Sequence, residues 1–290
     1  MRKRQLICLL LGIMLSGCAD SPSTPVPDRS QTEPVEQAPV EPTSPETHAD
    51  LPSPASSQIA PVTDRSSDAT TWQLIDGMSW PKPQARFNNF DSAKARFWSV
   101  YENGGTELYC RVKFNTAAAR SPNQQDKPLN IEHAYPADRI ALFFGHPDRD
   151  CGASASSFVD KKCARAVADM HNLWPAYQSI NSSRKDLRFA DLPGETNRTQ
   201  LKVNCADFER TYKRSIEDFV DPTPDARGDI ARSLIYMSKV YGMPLDGATS
   251  DASLLIEWHL ADPPDNAEQD REREIRRLQG TWNPLIIPSH

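Results

Sequence analysis

A proline-rich tract at residues 19–70 limits where this chain can fold. It contains ten of the 25 prolines and has no glycine, lysine, cysteine, phenylalanine, tyrosine or tryptophan. A segment of this composition buries too little apolar surface to offset the entropy of ordering, and proline keeps it extended. We therefore predict a disordered tether at residues 19–70 and one folded domain at residues 71–290, which holds all six tryptophans.

The acidity of the chain is concentrated in this tract, which has nine acidic residues against two arginines. Although the whole chain has a net charge of −6, the predicted domain is close to neutral. The overall charge therefore does not exclude a nucleic-acid partner. The chain has no apolar run of the roughly 18–20 residues that a membrane span requires, so an integral membrane protein is not expected.

The N-terminus has the pattern of a secretory signal. Three basic residues at positions 2–4 precede an apolar stretch at residues 6–15, and small residues follow. Residues 15–18, Leu-Ser-Gly-Cys, resemble a bacterial lipobox, in which the cysteine becomes lipidated. We predict a lipoprotein signal peptide at residues 1–18 and lipidation of Cys18, with an ordinary signal peptide cut nearby as the alternative.

The anchor would then be the lipid alone, because acyl chains on one cysteine hold a protein at a membrane without a spanning helix. The residue after Cys18 is Ala19 and not an aspartate. This favours the outer membrane, on the periplasmic side or facing the surface.

Periodicity in residues 71–290 predicts a helix-rich α+β fold around a small, irregular sheet. Asp265 and Glu268 suit a capping box at the start of the last helix, and Gly280 suits its end. Alternating apolar residues predict a strand at 106–115, and a short extended segment follows at 130–133. Helices are predicted at residues 91–101, 175–184, 228–241, 253–260 and 265–279.

Besides Cys18, the exported part of the chain has four cysteines, and an even number there indicates two disulfides. Four cysteines permit three pairings. The short loop between Cys151 and Cys163 favours that bridge, which leaves Cys110 with Cys205. A four-cysteine zinc site is the alternative, but the sequence lacks a close C-x-x-C pair.

Three polar segments are candidates for chemistry: residues 130–136, 169–175 and 181–184. Glu132 and His133 are adjacent, and neighbours on a regular strand point to opposite faces. The pair can share one site only where the strand ends or bends. The alternative is that both residues have only structural roles, with Glu132 exposed and His133 packed beside it.

The order and spacing of these segments resemble the bacterial endonuclease I family of periplasmic and secreted nucleases, which belong to the ββα-metal (His-Me finger) group. The resemblance extends from about Phe90 to Pro284. It rests on Tyr109-Cys110, Glu132-His133-x-x-Pro136, Asp169-Met170-His171-Asn172-Leu173-x-Pro175, Asn181 with Arg184, Arg227 to Arg232, Tyr236-Met237, Trp258, Asp262-Pro263-Pro264, Glu268, Arg271, Gln279-Gly280 and Asn283-Pro284.

The resemblance implies a ββα-metal core in which His133 is the general base that takes a proton from water. Glu132 and Asn181 would hold one Mg²⁺ ion through oxygen atoms, with Mn²⁺ or Ca²⁺ as alternatives. The substrate would be DNA, with RNA as a further candidate, contacted through its phosphates and cut with little sequence preference. A monomer is expected.

The sequence offers several candidates for the residue that binds the cleaved phosphate. The family usually has an arginine shortly before a cysteine, whereas here Lys161 and Lys162 precede Cys163, and Arg149 precedes Cys151. Lysine neutralises a phosphate but lacks the bidentate fork of arginine. Arg184 is the other phosphate-binding candidate, and the structural alternative is that it pairs with Asp186.

Some polar residues of these motifs suit structural roles better than binding. We expect His171 and Asn172 to be buried hydrogen-bonding residues, and Arg232 to form a buried ion pair with an acid. Trp174 suits the core.

The sequence thus favours a lipid-anchored, Mg²⁺-dependent endonuclease outside the cytoplasm. Two other hypotheses remain: a catalytically weak or inactive nucleic-acid-binding lipoprotein on the same fold, and a metal-dependent hydrolase of another envelope phosphodiester. Intact Glu132, His133 and Asn181 count against the first, and the salt sensitivity of nucleic-acid binding would separate the second.

Overall fold

The computed structural model of the protein describes residues 65–115, 129–147, 149–151, 159–192, 205, 207–211 and 219–288. In this part the chain is helix-rich with small sheets, which confirms the predicted α+β class. None of the described helices is long and apolar enough to cross a membrane. The predicted signal peptide, Cys18 and most of the predicted tether lie outside the described residues.

The first described helix, α1 (Arg65–Asp76), begins inside the segment predicted as tether. Ile75 in this helix is buried in the main core. The indole N–H of Trp80 donates to the carbonyl oxygen of Ile75 over 3.0 Å, which holds the end of the helix. Local sequence favours disorder at residues 65–70, whereas packing against the domain favours the helix.

The centre of the core is helix α6 (Pro224–Tyr241), against which α7 (Ser253–Ala261) packs. Close approach is possible because of Gly228: a Cβ atom there would lie 2.0 Å from the carbonyl oxygen of Asp262. The Gly228 N–H also donates to the Asp262 carboxylate over 2.9 Å. The glycine therefore fixes where α6 meets the end of α7.

The last helix, α8 (Asn266–Gln279), has the predicted ends but a different first turn. The Asp265 side chain accepts from the Glu268 N–H over 2.7 Å, and Gly280 ends the helix at φ +83°. The Glu268 carboxylate turns inward and binds Arg232 of α6 at 2.6 and 2.8 Å, instead of completing a capping box. Arg232 also contacts Asp229 at 3.0 Å, which confirms its predicted buried ion pair.

Helix α2 (Phe90–Phe97) begins where the sequence predicts a helix and continues into a 3₁₀ turn at Trp98–Tyr101. The predicted strand at 106–115 is wrong in its middle. Only β1 (Gly105–Thr106) and β2 (Lys113–Phe114) pair, as an antiparallel hairpin. Between them the buried Glu107 carboxylate accepts the N–H groups of Tyr109 and Cys110, which makes a turn of residues whose alternation suggested a strand.

Strand β3 (Leu129–His133) confirms the predicted extended segment and pairs antiparallel with β4 (Leu173–Tyr177). Helix α5 (Gln178–Arg184) follows β4 directly, so β3, β4 and α5 form a ββα unit. The predicted helix start at Pro175 is wrong, because residues 173–177 are all buried as a strand beside β3. Pro175 has no N–H to donate, but it is tolerated here because both strands of a two-stranded sheet are edge strands.

Two short helices flank the ββα unit, α3 (Ala137–Phe143) and α4 (Lys161–Val167), and neither was predicted. At seven residues each they are too short to show a clear helical period. A small mixed sheet completes the described fold: β5 (Arg188–Phe189) lies parallel to β7 (Phe219–Asp221), and β6 (Glu209–Arg210) lies antiparallel to β7.

Both predicted disulfides are confirmed. Cys151 bonds to Cys163 at the start of α4, and Cys110 bonds to Cys205 across a separation of 95 residues. Because all four sulfurs are used in these bonds, the alternative of a four-cysteine zinc site is wrong. The first bridge holds the segment before α4 against that helix, and the second fixes the turn that contains Tyr109.

We predict that Arg232→Ala lowers the free energy of unfolding by about 3–5 kcal/mol, because it leaves the buried Glu268 carboxylate without its ion-pair partner, while Asp229 keeps Arg111. Arg273→Ala is the matched control, since Arg273 pairs with Asp270 on the exposed face of α8. Its effect should stay within about 0.5 kcal/mol. Denaturant melts of both variants measure this, and equal losses would show that the buried pair contributes no more than a surface one.

Candidate active site

A cleft of about 580 Å³ opens where β3 ends, between the ββα unit and the helices α2 and α3. Its walls include Glu132, His133, Asn181 and Arg184, which the sequence placed in one site. The structure thus brings together side chains from the end of β3 and from α5. It also adds Phe90, Asp138 and Arg149 to the cleft.

Glu132 is buried, with 3% of its surface exposed. Its Oε1 atom accepts the Tyr109 hydroxyl over 2.7 Å and Arg184 Nη1 over 3.0 Å. Burial raises the pKa of Glu132, while the positive charge of Arg184 and the Tyr109 hydrogen bond act in the opposite direction. Both of these side-chain contacts are on Oε1, and neither uses Oε2.

His133 has a defined tautomer. Its Nε2 atom lies 3.0 Å from the carbonyl oxygen of Val167 in α4. Because a carbonyl only accepts, Nε2 must carry the proton, and Nδ1 is the basic nitrogen. The ring also lies 5.0 Å from that of Phe90, centroid to centroid. Burial lowers the pKa of His133 to about 4, so the imidazole is neutral at pH 7.

Glu132 and His133 share the cleft because β3 ends at His133. Arg184 donates from Nη1 to the His133 carbonyl over 2.9 Å and from Nη2 to the Ala134 carbonyl over 2.7 Å. These bonds take the acceptors that a longer strand would use. Glu132 therefore points toward Tyr109 and α5, and His133 points toward α2 and α4, while both reach the cleft.

Arg184 is 1% exposed and makes its contacts with Glu132 and the end of β3. Its guanidinium also lies 4.6 Å from the centroid of the Phe189 ring. The pairing with Asp186 given as its structural alternative is wrong, because Asp186 lies 3.6 Å from Arg139 instead. The described contacts give Arg184 a positioning role, and binding of phosphate by Arg184 stays a prediction.

Asn181 lines the cleft from α5. Its amide nitrogen donates to Asn130 Oδ1 over 2.9 Å and to the Ile131 carbonyl over 3.3 Å. Both bonds orient the amide so that the nitrogen faces β3, which leaves Oδ1 as an acceptor.

The oxygen atoms of Glu132 and Asn181 fit a hard cation such as Mg²⁺, which takes few protein ligands and keeps several waters. Within the described residues no group of three or more His, Cys, Asp or Glu side chains could hold a metal ion. A site made only of such protein ligands is therefore absent from this part of the chain, and a two-ligand Mg²⁺ site remains compatible with it.

The two predicted lysines lie outside the cleft walls. Lys161 and Lys162 are exposed on the first turn of α4, where Asp160 caps the helix. Arg149 lines the cleft instead, and it forms a two-pronged ion pair with Asp138 at the start of α3, in which Nη2 lies 2.7 Å from Oδ2. The Cys151–Cys163 bridge lies two residues beyond Arg149 and holds this segment beside α4.

The segment before β4 is held by a buried polar network, as expected for His171 and Asn172. The Asn172 amide bonds both the N–H and the carbonyl of Tyr135, at 2.6 and 2.9 Å. His171 lies 3.2 Å from Thr281 through Nε2 and 3.2 Å from Glu272 through Nδ1. Trp174 is buried, as predicted, with the guanidinium of Arg271 stacked 3.6 Å from its ring centroid.

Sequence reasoning missed two residues of the site. Tyr109 belongs to a matched motif, yet its hydroxyl contact with Glu132 spans 23 positions and has no local signal. Phe90 was given no role from the sequence, and only the tertiary packing of α2 beside α4 brings its ring to His133.

Comparison with known proteins shows the family of the chain. The Endonuclease I family profile matches residues 57–289. An extracellular deoxyribonuclease of Aeromonas hydrophila is 30% identical over 220 residues, which cover 72% of this chain and 92% of that protein. Endonuclease-1 of Buchnera aphidicola is 30% identical over 214 residues, covering 68% of this chain and 80% of the relative.

A shorter similarity links the chain to an extracellular ribonuclease of Bacillus subtilis, with 31% identity over 134 residues, or 41% of this chain and 43% of that protein. The family profile and the deoxyribonuclease relatives extend over most of the domain that carries the cleft. The chain therefore belongs to the endonuclease I family.

Proposed function

We propose that this protein is a metal-dependent, sequence-nonspecific endonuclease that hydrolyses phosphodiester bonds of DNA outside the cytoplasm. The observation that carries the proposal is that His133, whose Nε2 faces the Val167 carbonyl and leaves Nδ1 as its basic nitrogen, lines one cleft with Glu132 and Asn181. Glu132, His133 and Asn181 all line the cleft of one chain, so the proposed chemistry needs no residue from a second copy.

His133 is the general base in this proposal. A neutral imidazole with a fixed tautomer accepts a proton from water at Nδ1, while the Nε2–H bond to Val167 keeps the ring in place. In-line attack of the water on phosphorus would leave a 5′-phosphate and a 3′-hydroxyl. Phe90 restricts the ring from its face and so limits rotation away from the water.

Glu132 Oε2 and Asn181 Oδ1 would hold one Mg²⁺ ion, with Mn²⁺ or Ca²⁺ as substitutes. Charge that develops on the phosphate and on the leaving 3′ oxygen is what such a bound ion stabilises. Arg184 keeps Glu132 oriented and balances its buried charge, and Asn130 orients Asn181.

Arg149 is our candidate for the residue that grips the cleaved phosphate, in place of Lys161 and Lys162. Its guanidinium lines the cleft, and 64% of its side chain is exposed. Asp138 holds it through two hydrogen bonds, which keeps the planar fork oriented before substrate arrives. Contacts of this kind are made to phosphate and not to base edges, which supports low sequence preference.

DNA is the proposed substrate because two of the compared relatives are named deoxyribonuclease or endonuclease and match most of the domain. RNA is a second candidate, supported by the shorter similarity to an extracellular ribonuclease. Two observations support action outside the cytoplasm. Some of the relatives are named extracellular or periplasmic, and the chain has two disulfides, which form in oxidising compartments.

The first test is nicking of supercoiled plasmid by the full chain, and we expect His133→Ala to lower the rate by at least about 100-fold. Loss of nicking in EDTA and in Asn181→Ala would support the metal ligand assignment. His146→Ala is the matched control, because His146 pairs with Asp160 outside the cleft walls. Full nicking by His133→Ala would refute the base assignment, and an intact plasmid with folded wild type and each divalent metal would refute the function.

The neutral state of His133 predicts a pH effect on stability. Its pKa is about 4 when folded and 6.5 ordinarily, so between these values the unfolded chain binds a proton that the folded chain excludes. The stability that the neutral His133 contributes is fully present above pH 6.5. As the pH falls toward 4, the free energy of unfolding decreases by roughly 3 kcal/mol in all.

Urea melts across this pH range in metal-free buffer, for wild type and His133→Asn, measure the effect. The wild type should lose more stability than the variant as the pH falls. Parallel curves for the two proteins would mean that His133 is already protonated in the fold or is solvated there.

We also propose that the chain is a lipoprotein anchored in the outer membrane through Cys18, with residues 19–70 largely a tether. The basic start, apolar stretch and lipobox-like residues 15–18 support this proposal. We expect Cys18→Ala to move the protein from the detergent phase to the aqueous phase in a Triton X-114 partition of cell envelopes. A wild type found wholly in the aqueous phase would contradict lipidation.

A further inference from the structure

A small pocket outside the catalytic cleft is lined mainly by arginines. It has a volume of about 250 Å³, and its walls come from the segment before α2, from α2 itself and from α8. The residues are Arg86, Phe87, Arg96, Arg277 and Leu278. Three arginines from separate parts of the chain thus line one concave surface, with no acidic side chain among these wall residues.

The charge of this pocket is poorly compensated. Arg277 pairs with Glu274 one turn earlier in α8, at 2.8 Å. In the described part of the chain the exposed guanidinium groups of Arg86 and Arg96 form no ion pair. Like charges held together repel each other unless an anion lies between them, and arginine forks suit the oxygens of a phosphate.

The pocket is close to the catalytic cleft. Phe87 lines the pocket and Phe90 lines the cleft, and three residues of chain span at most about 10 Å. Asn88 and Asn89 between them are exposed, so the surface that joins the two cavities is polar and open to solvent.

The larger cavity of about 600 Å³ beside Arg111 and Arg271 is less suited to an anion. Its arginines are interleaved with acids, among them Asp229, Asp265 and Glu268. Arg273 also lies in its wall and is paired with Asp270. The contrast makes the pocket of Arg86, Arg96 and Arg277 the stronger candidate for phosphate.

We propose that this pocket is a second phosphate site, which binds a backbone phosphate of the same nucleic-acid strand that is cut in the cleft. That this strand is the substrate rests on the proposed nuclease function. Because at most about 10 Å of chain separates Phe87 from Phe90, one strand can reach both cavities within a few nucleotides. The site adds affinity and holds the strand in register without reading its bases.

The test compares the full chain carrying R86Q and R96Q with wild type and with Arg273→Gln, which removes a like charge from another face of α8. Binding of a short labelled DNA duplex is measured by fluorescence anisotropy in EDTA, across a series of salt concentrations. We expect the double variant to bind about tenfold more weakly, with a slope of log affinity against log salt that is smaller by about 1. Arg273→Gln should match the wild type.

Binding in EDTA separates this proposal from the nuclease function, because it needs no cleavage. If the double variant binds DNA as tightly as Arg273→Gln, the second phosphate site is refuted even where wild type is an active nuclease. Anionic phosphatidylglycerol vesicles test the other source of phosphate. Loss of vesicle binding in the double variant with unchanged DNA binding would also refute the proposal, since the pocket would then bind lipid headgroups.

Cleavage kinetics add an independent measurement when the enzyme is active. A remote phosphate contact made equally in the ground state and the transition state should change KM and leave kcat unaltered. A rise in KM for the double variant with unchanged kcat supports the second site. A fall in kcat alone would overturn it, because the two arginines would then be acting on the cleft.

Discussion

The cleft that holds Glu132 and His133 depends on one buried guanidinium. Arg184, at the end of α5, bonds the Glu132 carboxylate and the carbonyls of His133 and Ala134. A single planar group thus ends a strand, orients an acid and joins the helix to the sheet. Because both charges are buried, loss of either partner would leave the other without compensation in a medium of low polarity. The same desolvation raises the pKa of Glu132, and the arginine opposes that rise.

Buried polar contacts set the geometry on both sides of this pair. Tyr109 reaches Glu132 from a turn that the buried Glu107 holds and that the Cys110–Cys205 bridge ties to a distant segment. On the other side, the Asn172 amide joins the entry of β4 to Tyr135, just beyond the end of β3. Fully bonded groups of this kind have few alternative arrangements, because each unmade bond in the interior costs free energy. These bonds therefore limit the arrangements open to Glu132 and to the chain just beyond the end of β3.

How far the sequence predicts this fold depends on whether a signal is local. The Asp265 cap, the Gly280 end and the long helices 228–241 and 253–260 all have local patterns, and the structure confirms these helices with small shifts of their ends. Where the predicted secondary structure is wrong, contacts with residues distant in the sequence determine the conformation instead. Glu107 makes a turn out of alternating residues, and β3 makes a strand out of residues 173–177. Motif order brought Glu132, His133 and Asn181 together, but periodicity had no means of finding Tyr109 or Phe90.

The position of Arg149 shows why spacing along the chain is a weak guide to a binding residue. Lys161 and Lys162 directly precede a cysteine, as the family pattern would require, yet they lie on the exposed first turn of α4. The other cysteine of the same bridge follows Arg149, and the disulfide brings the two segments together in space. A bridge of this kind allows an arginine from either side to reach the cleft, since the covalent bond fixes both segments beside α4. Arg149 therefore lines the cleft although no lysine or arginine of the first turn of α4 does, and Asp138 at the start of α3 holds its guanidinium.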